Sequence, residues 1–300
     1  MLFPAVRHEL SFWHGDDRLS GDLRLPEAVG PHPVVLVVRE PGGRECDYSA
    51  WLDVMADAGM ASFSWDRPVC RPATAGRPWP VGHQAREVLA ARDRLRRVPE
   101  LDPAAVALLG WGRGGWAAAQ ATTFSDDVAA LILACTPVAP AGGGGEAGGG
   151  GEADAVLSGP VHDLRPTLSA VTVPVLALFG ELDPVVELQG SVRALRQALH
   201  DAGHADHEVA VVRGADHALR VRASHGLGPM VAGRYRFGDW PAGLTDLLVG
   251  WLDRRLRPEE VPTYAPPLQA PAVRLPLRGR TTTALPPPVP VRQVRRRVPR

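Results

Sequence analysis

The sequence contains no lysine and no asparagine, and Ile132 is its single isoleucine. Such a bias marks a G+C-rich coding sequence rather than a function, so arginine in place of lysine carries no information at any position. Cysteine is scarce as well. Cys46, Cys70 and Cys135 are the only three, too few and too scattered for a disulfide framework or a thiolate metal cluster, which leaves reduced thiols as the expectation. No stretch approaches the roughly 18 consecutive apolar residues of a membrane span, so no membrane association is expected. The first thirteen residues carry Arg7, His8 and Glu9 and show no signal-peptide pattern, which sets an expectation of a cytoplasmic protein. Net charge is absent too, with 33 basic and 33 acidic side chains. That zero is a cancellation: residues 257–300 hold nine arginines against Glu259 and Glu260, a surplus of +7, so residues 1–256 carry −7. A body of that sign gives no support to nucleic-acid binding.

Apolar residues make up 45% of the chain, enough for one sizeable core over residues 1–256. Val34 to Val38 is an unbroken, mostly β-branched run bounded by Pro33 and by Pro41-Gly42-Gly43. A run apolar on both faces predicts a strand inside a sheet with helices on each side. The same signature recurs at Ala61 to Trp65, Val106 to Leu109, Ala129 to Ala134, Val173 to Phe179 and Val209 to Val212. Helical stretches alternate with them: Tyr48 to Ala58, Gly82 to Arg97, Gly114 to Thr123, Leu188 to Ala202 and Pro241 to Leu256. In the second, Val88, Leu89, Arg92 and Leu95 form an apolar stripe with an arginine inside it. Alternating strands and helices predict an α/β doubly wound, mostly parallel sheet with helices on both faces, its functional residues just past the carboxyl ends of the strands.

Two segments depart from the alternation. Residues 141–153 are a glycine-rich linker, which predicts a flexible, minimal cap within the domain. Residues 257–300 hold eleven prolines and no apolar periodicity, and read as a disordered Pro/Arg-rich tail. An acidic partner, or the acidic body itself, is the expected contact of that tail, and an interaction role through it stands as a separate reading of the chain.

The chemistry concentrates in three places. Leu109-Gly110-Trp111-Gly112-Arg113-Gly114-Gly115 follows a predicted strand and precedes a predicted helix, the context of the nucleophile elbow G-x-S-x-G. Its outer glycines are present, and Gly112 stands in the serine slot. The same run satisfies the dinucleotide pattern Gly110-x-Gly112-x-x-Gly115, but after several strands rather than in the first βα unit. Downstream come Phe179-Gly180-Glu181-Leu182-Asp183-Pro184 and Arg213-Gly214-Ala215-Asp216-His217. In that order of elbow, aspartate and histidine, residues 7–256 resemble the α/β-hydrolase superfamily, and within it the dienelactone-hydrolase-like esterases, which also open with a strand pair such as His8 to Leu25 and carry a turn like Asp66-Arg67.

The resemblance implies an α/β-hydrolase fold, with Asp183 orienting His217 and His217 acting as general base. Gly112 then occupies the nucleophile position, the Arg113 N–H is an oxyanion donor, and Arg39-Glu40-Pro41 line the pocket where relatives place a second donor, one that proline lacks. Cys135, at the end of a strand on the functional edge, is a possible displaced nucleophile or a small buried hydrophobe. Asp183 and His217 read equally as a structural hydrogen-bonded pair. Cys70 and Ser64 near Asp66 carry less, Trp79 and His83 either line a pocket or lie on the surface, and His200, His204 and His207 read as solvated because no cysteine or spaced carboxylate accompanies them. No cofactor and no metal are expected. The functional expectation is a pocket for a small ester, acyl or lactone-like molecule without normal serine esterase activity. The alternatives are a non-covalent enzyme using His217 as base and a hydrolase with a displaced nucleophile.

Overall fold

A computed structural model describes residues 5–39, 48–65, 80–138, 162–221, 230–231, 234–235 and 239–257. Glu40, Pro41, Cys46, Asp66, Arg67, Cys70, Trp79, the linker at 141–153 and the tail beyond Arg257 lie outside those residues. Chain contacts divide the molecule into one compact unit, Met1–Glu259, and a second, Glu260–Arg300.

Eight strands form the main sheet of the first unit: β1 (Val6–His14), β2 (Asp17–Leu25), β3 (His32–Val38), β4 (Ala61–Trp65), β5 (Leu101–Trp111), β6 (Ala130–Ala134), β7 (Val175–Gly180) and β8 (His207–Val212). Their order is β1-β2-β4-β3-β5-β6-β7-β8. β1 with β2 and β2 with β4 are antiparallel; every pairing from β4 onward is parallel. The mostly parallel α/β sheet expected from the alternation of elements is therefore present, in the arrangement that the α/β-hydrolase resemblance implies. The helices are α1 (Tyr48–Asp57), α2 (Val81–Leu95), α3 (Gly114–Thr122), α4 (Arg165–Leu168), α5 (Leu188–Asp201) and α6 (Leu244–Leu256).

The unbroken apolar runs have the cause inferred from them. Along β3, Val34, Leu36 and Val38 belong to the core layer shared with α2, α3 and α5, whereas Val35 and Val37 belong to the layer on the other face that holds Trp51, Met55, Leu248 and Trp251 from α1 and α6. All five residues are fully buried, so each contributes about 1.5–3 kcal/mol of transfer free energy. The arginine in the apolar stripe of α2 is buried too, and its charge is met by Asp93 and Asp127 and by the Ser125 hydroxyl. Arg24 on β2 is only 1% exposed and pairs with Asp22 at 3.1 Å, with Asp53, and with the Ser49 carbonyl at 2.7 Å, which ties the strand to α1.

Two boundaries differ most from the sequence reading. β5 begins at Leu101, five residues before the apolar run at Val106, because an exposed lead-in containing Pro103 touches β3 only through Leu101 and His32 before the register shifts. The last helix begins at Leu244 rather than Pro241, since Gly243 adopts φ +79° at its start.

Candidate functional site

β5, β6, β7 and β8 run parallel, so the loops that leave their carboxyl ends gather on one edge of the sheet. The turn from β5 into α3 is set by glycine sterics. A Cβ on Gly110 would lie under 3.0 Å from Gly115, one on Gly114 would meet the Val38 carbonyl oxygen, and one on Gly115 would meet the Thr136 hydroxyl. Helix α3 thus sits against both neighbouring strands at a distance only glycine permits. Gly112, at φ +51°, occupies the left-handed region at the tip of the turn, and its N–H donates to the Ala134 carbonyl at 2.9 Å. The turn from strand to helix therefore has a left-handed tip that glycine adopts freely and that bears no side chain.

The loops after β7 and β8 are locked together. Glu181 N–H donates to the Val212 carbonyl at 3.0 Å, Leu182 N–H to Ala215 at 2.8 Å, and the Glu181 carboxylate accepts from Gly214 N–H at 2.8 Å. Gly180 leaves no room for a Cβ beneath the Asp216 carbonyl. In that frame the Nδ1–H of His217 donates to Asp183 Oδ2 at 2.8 Å, while Asp183 Oδ1 accepts from the N–H groups of Val185 and Val186 at 2.8 and 3.1 Å. Asp183 is 1% exposed and His217 17%. Held this way, the imidazole is in the tautomer whose Nε2 carries the basic lone pair.

Several supports were not legible in the sequence. Trp111, the residue between the first two elbow glycines, donates its indole N–H to the His217 carbonyl at 3.1 Å and so joins the elbow to the histidine loop. Trp111 packs against Trp51, Trp51 against Trp240, and the Arg220 guanidinium lies 3.2 Å over the Trp240 ring centre. Asp216 Oδ1 accepts from Ala218 and Arg220 N–H groups, a side-chain turn whose aspartate could have announced it.

Of the other candidates, Cys135 comes to the pair: its sulfur, a carboxylate oxygen of Asp183 and a ring nitrogen of His217 all lie within 4.8 Å of one another. It is completely buried, at φ +48°, with its N–H donating to the Leu178 carbonyl. Arg39 follows β3 beside the start of α3, where its carbonyl nears Gly114, and its guanidinium is drawn to the Trp65 carbonyl at 2.9 Å. Arg113 starts α3 with its guanidinium 5.6 Å from the Trp116 ring centre. Ser64 spends its hydroxyl on the Val37 carbonyl. His83 faces the His14 ring, and burial together with that neighbour holds its pKa below the usual histidine value. His204 and His207 engage the carbonyls of Val173 and His204, so they and His200 gather no ligand set.

The dienelactone hydrolase family profile matches residues 19–232, a span that runs from β2 through both loops of the pair. The chain belongs to the dienelactone hydrolase family. Among solved structures it is similar to a dienelactone-hydrolase-like promiscuous phosphotriesterase from metagenomic libraries, at 19% identity and a TM-score of 0.61 over 84% of this chain and 98% of that one. It is similar also to the dienelactone hydrolase of Anabaena variabilis, at 18% identity and 0.56 over 84% and 99%. A cold-adapted esterase from an Arctic intertidal metagenomic library matches at 16% identity and 0.55 over 84% and 94%. Identities this low establish the shared fold. No curated protein matches the sequence. Among the described residues no helix is long and apolar enough to cross a membrane.

Proposed function

We propose that this member of the dienelactone hydrolase family binds a small ester, acyl or lactone-like molecule and acts on it through His217 as a general base, without the acyl-enzyme step and normal activity of serine esterases. One observation carries the reading: a pre-oriented Asp183–His217 pair bonded at 2.8 Å stands on the same sheet edge as an elbow whose tip is Gly112. Without an oxygen or sulfur at 112, no covalent acyl intermediate forms there. A water in the space can instead lose a proton to His217 Nε2 as its oxygen attacks the carbonyl carbon, and the proton passes to the departing alkoxide as the tetrahedral intermediate collapses. Where other parts of the machinery persist without a nucleophile, catalysis of roughly 10³–10⁴-fold over water remains. The esterase and hydrolase names of the structural neighbours support the ligand class.

The test is an ester and lactone panel with a fluorophosphonate probe on the full-length protein and on Gly112→Ser and His217→Ala. The expected result is no labelling of the native chain, labelling of Gly112→Ser, and loss of any residual turnover in His217→Ala. Ordinary esterase rates that are indifferent to His217→Ala would overturn the reading.

The convergence of Cys135 on the pair favours a second reading, in which the thiol is the nucleophile. Against it stand the complete burial of Cys135 and the commitment of its N–H to Leu178. Loss of turnover in Cys135→Ala would support the second reading and retention would exclude it.

A further inference from the structure

The loops of β6, β7 and β8 bring together one thiol, one carboxylate and one imidazole, the only trio of such donors among the described residues that lies within mutual ligand reach. Cys135 is fully buried, Asp183 is 1% exposed and His217 17%, so this is an enclosed set of donors and not a surface cluster of acids. The Cys135 backbone stands at φ +48°, a left-handed conformation unfavourable for a non-glycine residue that the surrounding packing must hold.

From this geometry we infer that Cys135, Asp183 and His217 form a three-donor site for a borderline divalent cation of the zinc or cobalt type. The donor chemistry selects the ion: thiolate and imidazole suit zinc and cobalt, whereas calcium and magnesium require oxygen shells. Zinc bonds of about 2.3 Å to sulfur and about 2.0–2.2 Å to nitrogen and oxygen place tetrahedral donors about 3.3–3.6 Å apart. The donors observed here lie near that spacing, with 2.8 Å between His217 Nδ1 and Asp183 Oδ2 and the sulfur within 4.8 Å of the other donors. Binding therefore needs the carboxylate and imidazole to part slightly, a movement within reach of side-chain rotation. On binding, the Cys135 sulfur gives up its proton to solvent as the sulfur–cation bond forms. The ion takes the place of the hydrogen shared between His217 and Asp183, and the proton of the neutral imidazole moves to Nε2. Three protein donors leave a fourth position for water or a small anion. Because Nε2 is then protonated, ion binding and general-base action by His217 exclude each other.

The site exists or not independently of the function proposed above, and spectroscopy separates the two. Full-length protein, stripped with a chelator and kept reduced, is titrated with Co²⁺. The expected result is one equivalent bound, with a thiolate-to-cobalt charge-transfer band and tetrahedral visible bands, all displaced by Zn²⁺. Cys135→Ser removes the charge-transfer band and His217→Gln weakens binding about tenfold or more, while a Cys46→Ser/Cys70→Ser double variant and His200→Gln each retain the band. A zinc-induced rise in unfolding temperature that is present in the native chain and absent from Cys135→Ser is the second readout, with His217→Gln taking its place if Cys135→Ser does not fold. Absence of the band in the native protein, or a band that survives both site variants, overturns the inference, whatever the outcome of the ester assays.

Discussion

The elbow and the aspartate–histidine pair occupy the same edge of one sheet and have been treated differently. At the elbow the packing is tight and the tip is bare: Gly110, Gly114 and Gly115 press α3 onto β3 and β5, and Gly112 bears no side chain. At the pair, packing and chemistry are both complete, down to the two N–H groups that fill the second oxygen of Asp183. The difference teaches that the shape of this strand-to-helix turn is held by the glycines around its tip and not by a side chain on it. The Asp183–His217 hydrogen bond is formed beside a tip that carries no side chain at all.

The hardest test of that contrast is Gly114→Ala. Its methyl group would meet the backbone carbonyl of Val38, which cannot swing aside, so a loss of about 3 kcal/mol or somewhat more is expected in urea unfolding. By comparison Gly112→Ser, at the tip, should cost only about 1–2 kcal/mol for its positive φ; a cost equal to that of Gly114→Ala would erase the distinction between frame and tip. On the other side of the edge, Asp183→Ala strands the Val185, Val186 and His217 donors in a buried place, with an expected loss of about 1–3 kcal/mol, whereas Asp183→Asn keeps an acceptor for some of them and should recover part of it. Trp111→Phe removes the bond from the elbow to the His217 carbonyl and part of the ring contact with Trp51, and at least about 1 kcal/mol should separate it from the native chain.

The smallest effect concerns a histidine away from the edge. Burial and the His14 ring hold the pKa of His83 below its unfolded value. The unfolded chain then binds more protons as pH falls through the ordinary histidine range, so stability is full above that range and declines on acidification until His83 itself is charged in the folded state. His83→Gln should flatten the decline between about pH 7 and pH 5; an identical pH profile in the variant would assign the loss to other groups.

Much of this edge was legible in the sequence because the signals were local. An unbroken run such as Val34 to Val38 can only belong to a strand covered on both faces, and a strand followed by Gly-x-Gly-x-Gly and a helix describes its own turn. Asp183 and His217 were placed by their order and their flanking residues. What the sequence withheld depends on contacts between distant residues. Trp111 meets His217 across 106 positions, and no local pattern marks an indole as the support of a remote carbonyl. Cys135 read as a displaced nucleophile or a small buried hydrophobe, and its nearness to Asp183 and His217 was hidden because those partners arrive from two other strands; its positive φ follows from tertiary packing rather than from its own preference. The lead-in of β5 escaped notice because it is exposed and contains proline, which hides a strand from any reading based on apolar runs.

The cluster of tilted indoles joined to the histidine loop has an optical consequence. Trp51 lies between Trp111 and Trp240, with ring centres 5.6 and 4.1 Å away, and Trp111 is bonded to the loop that carries His217. Chromophores this close share their excited states, so the near-ultraviolet circular dichroism of the protein should carry a coupled tryptophan signal that disappears in Trp51→Phe. Any ligand or ion that shifts the His217 loop moves one member of that array, and the molecule thereby reports the occupancy of its own site without an added label.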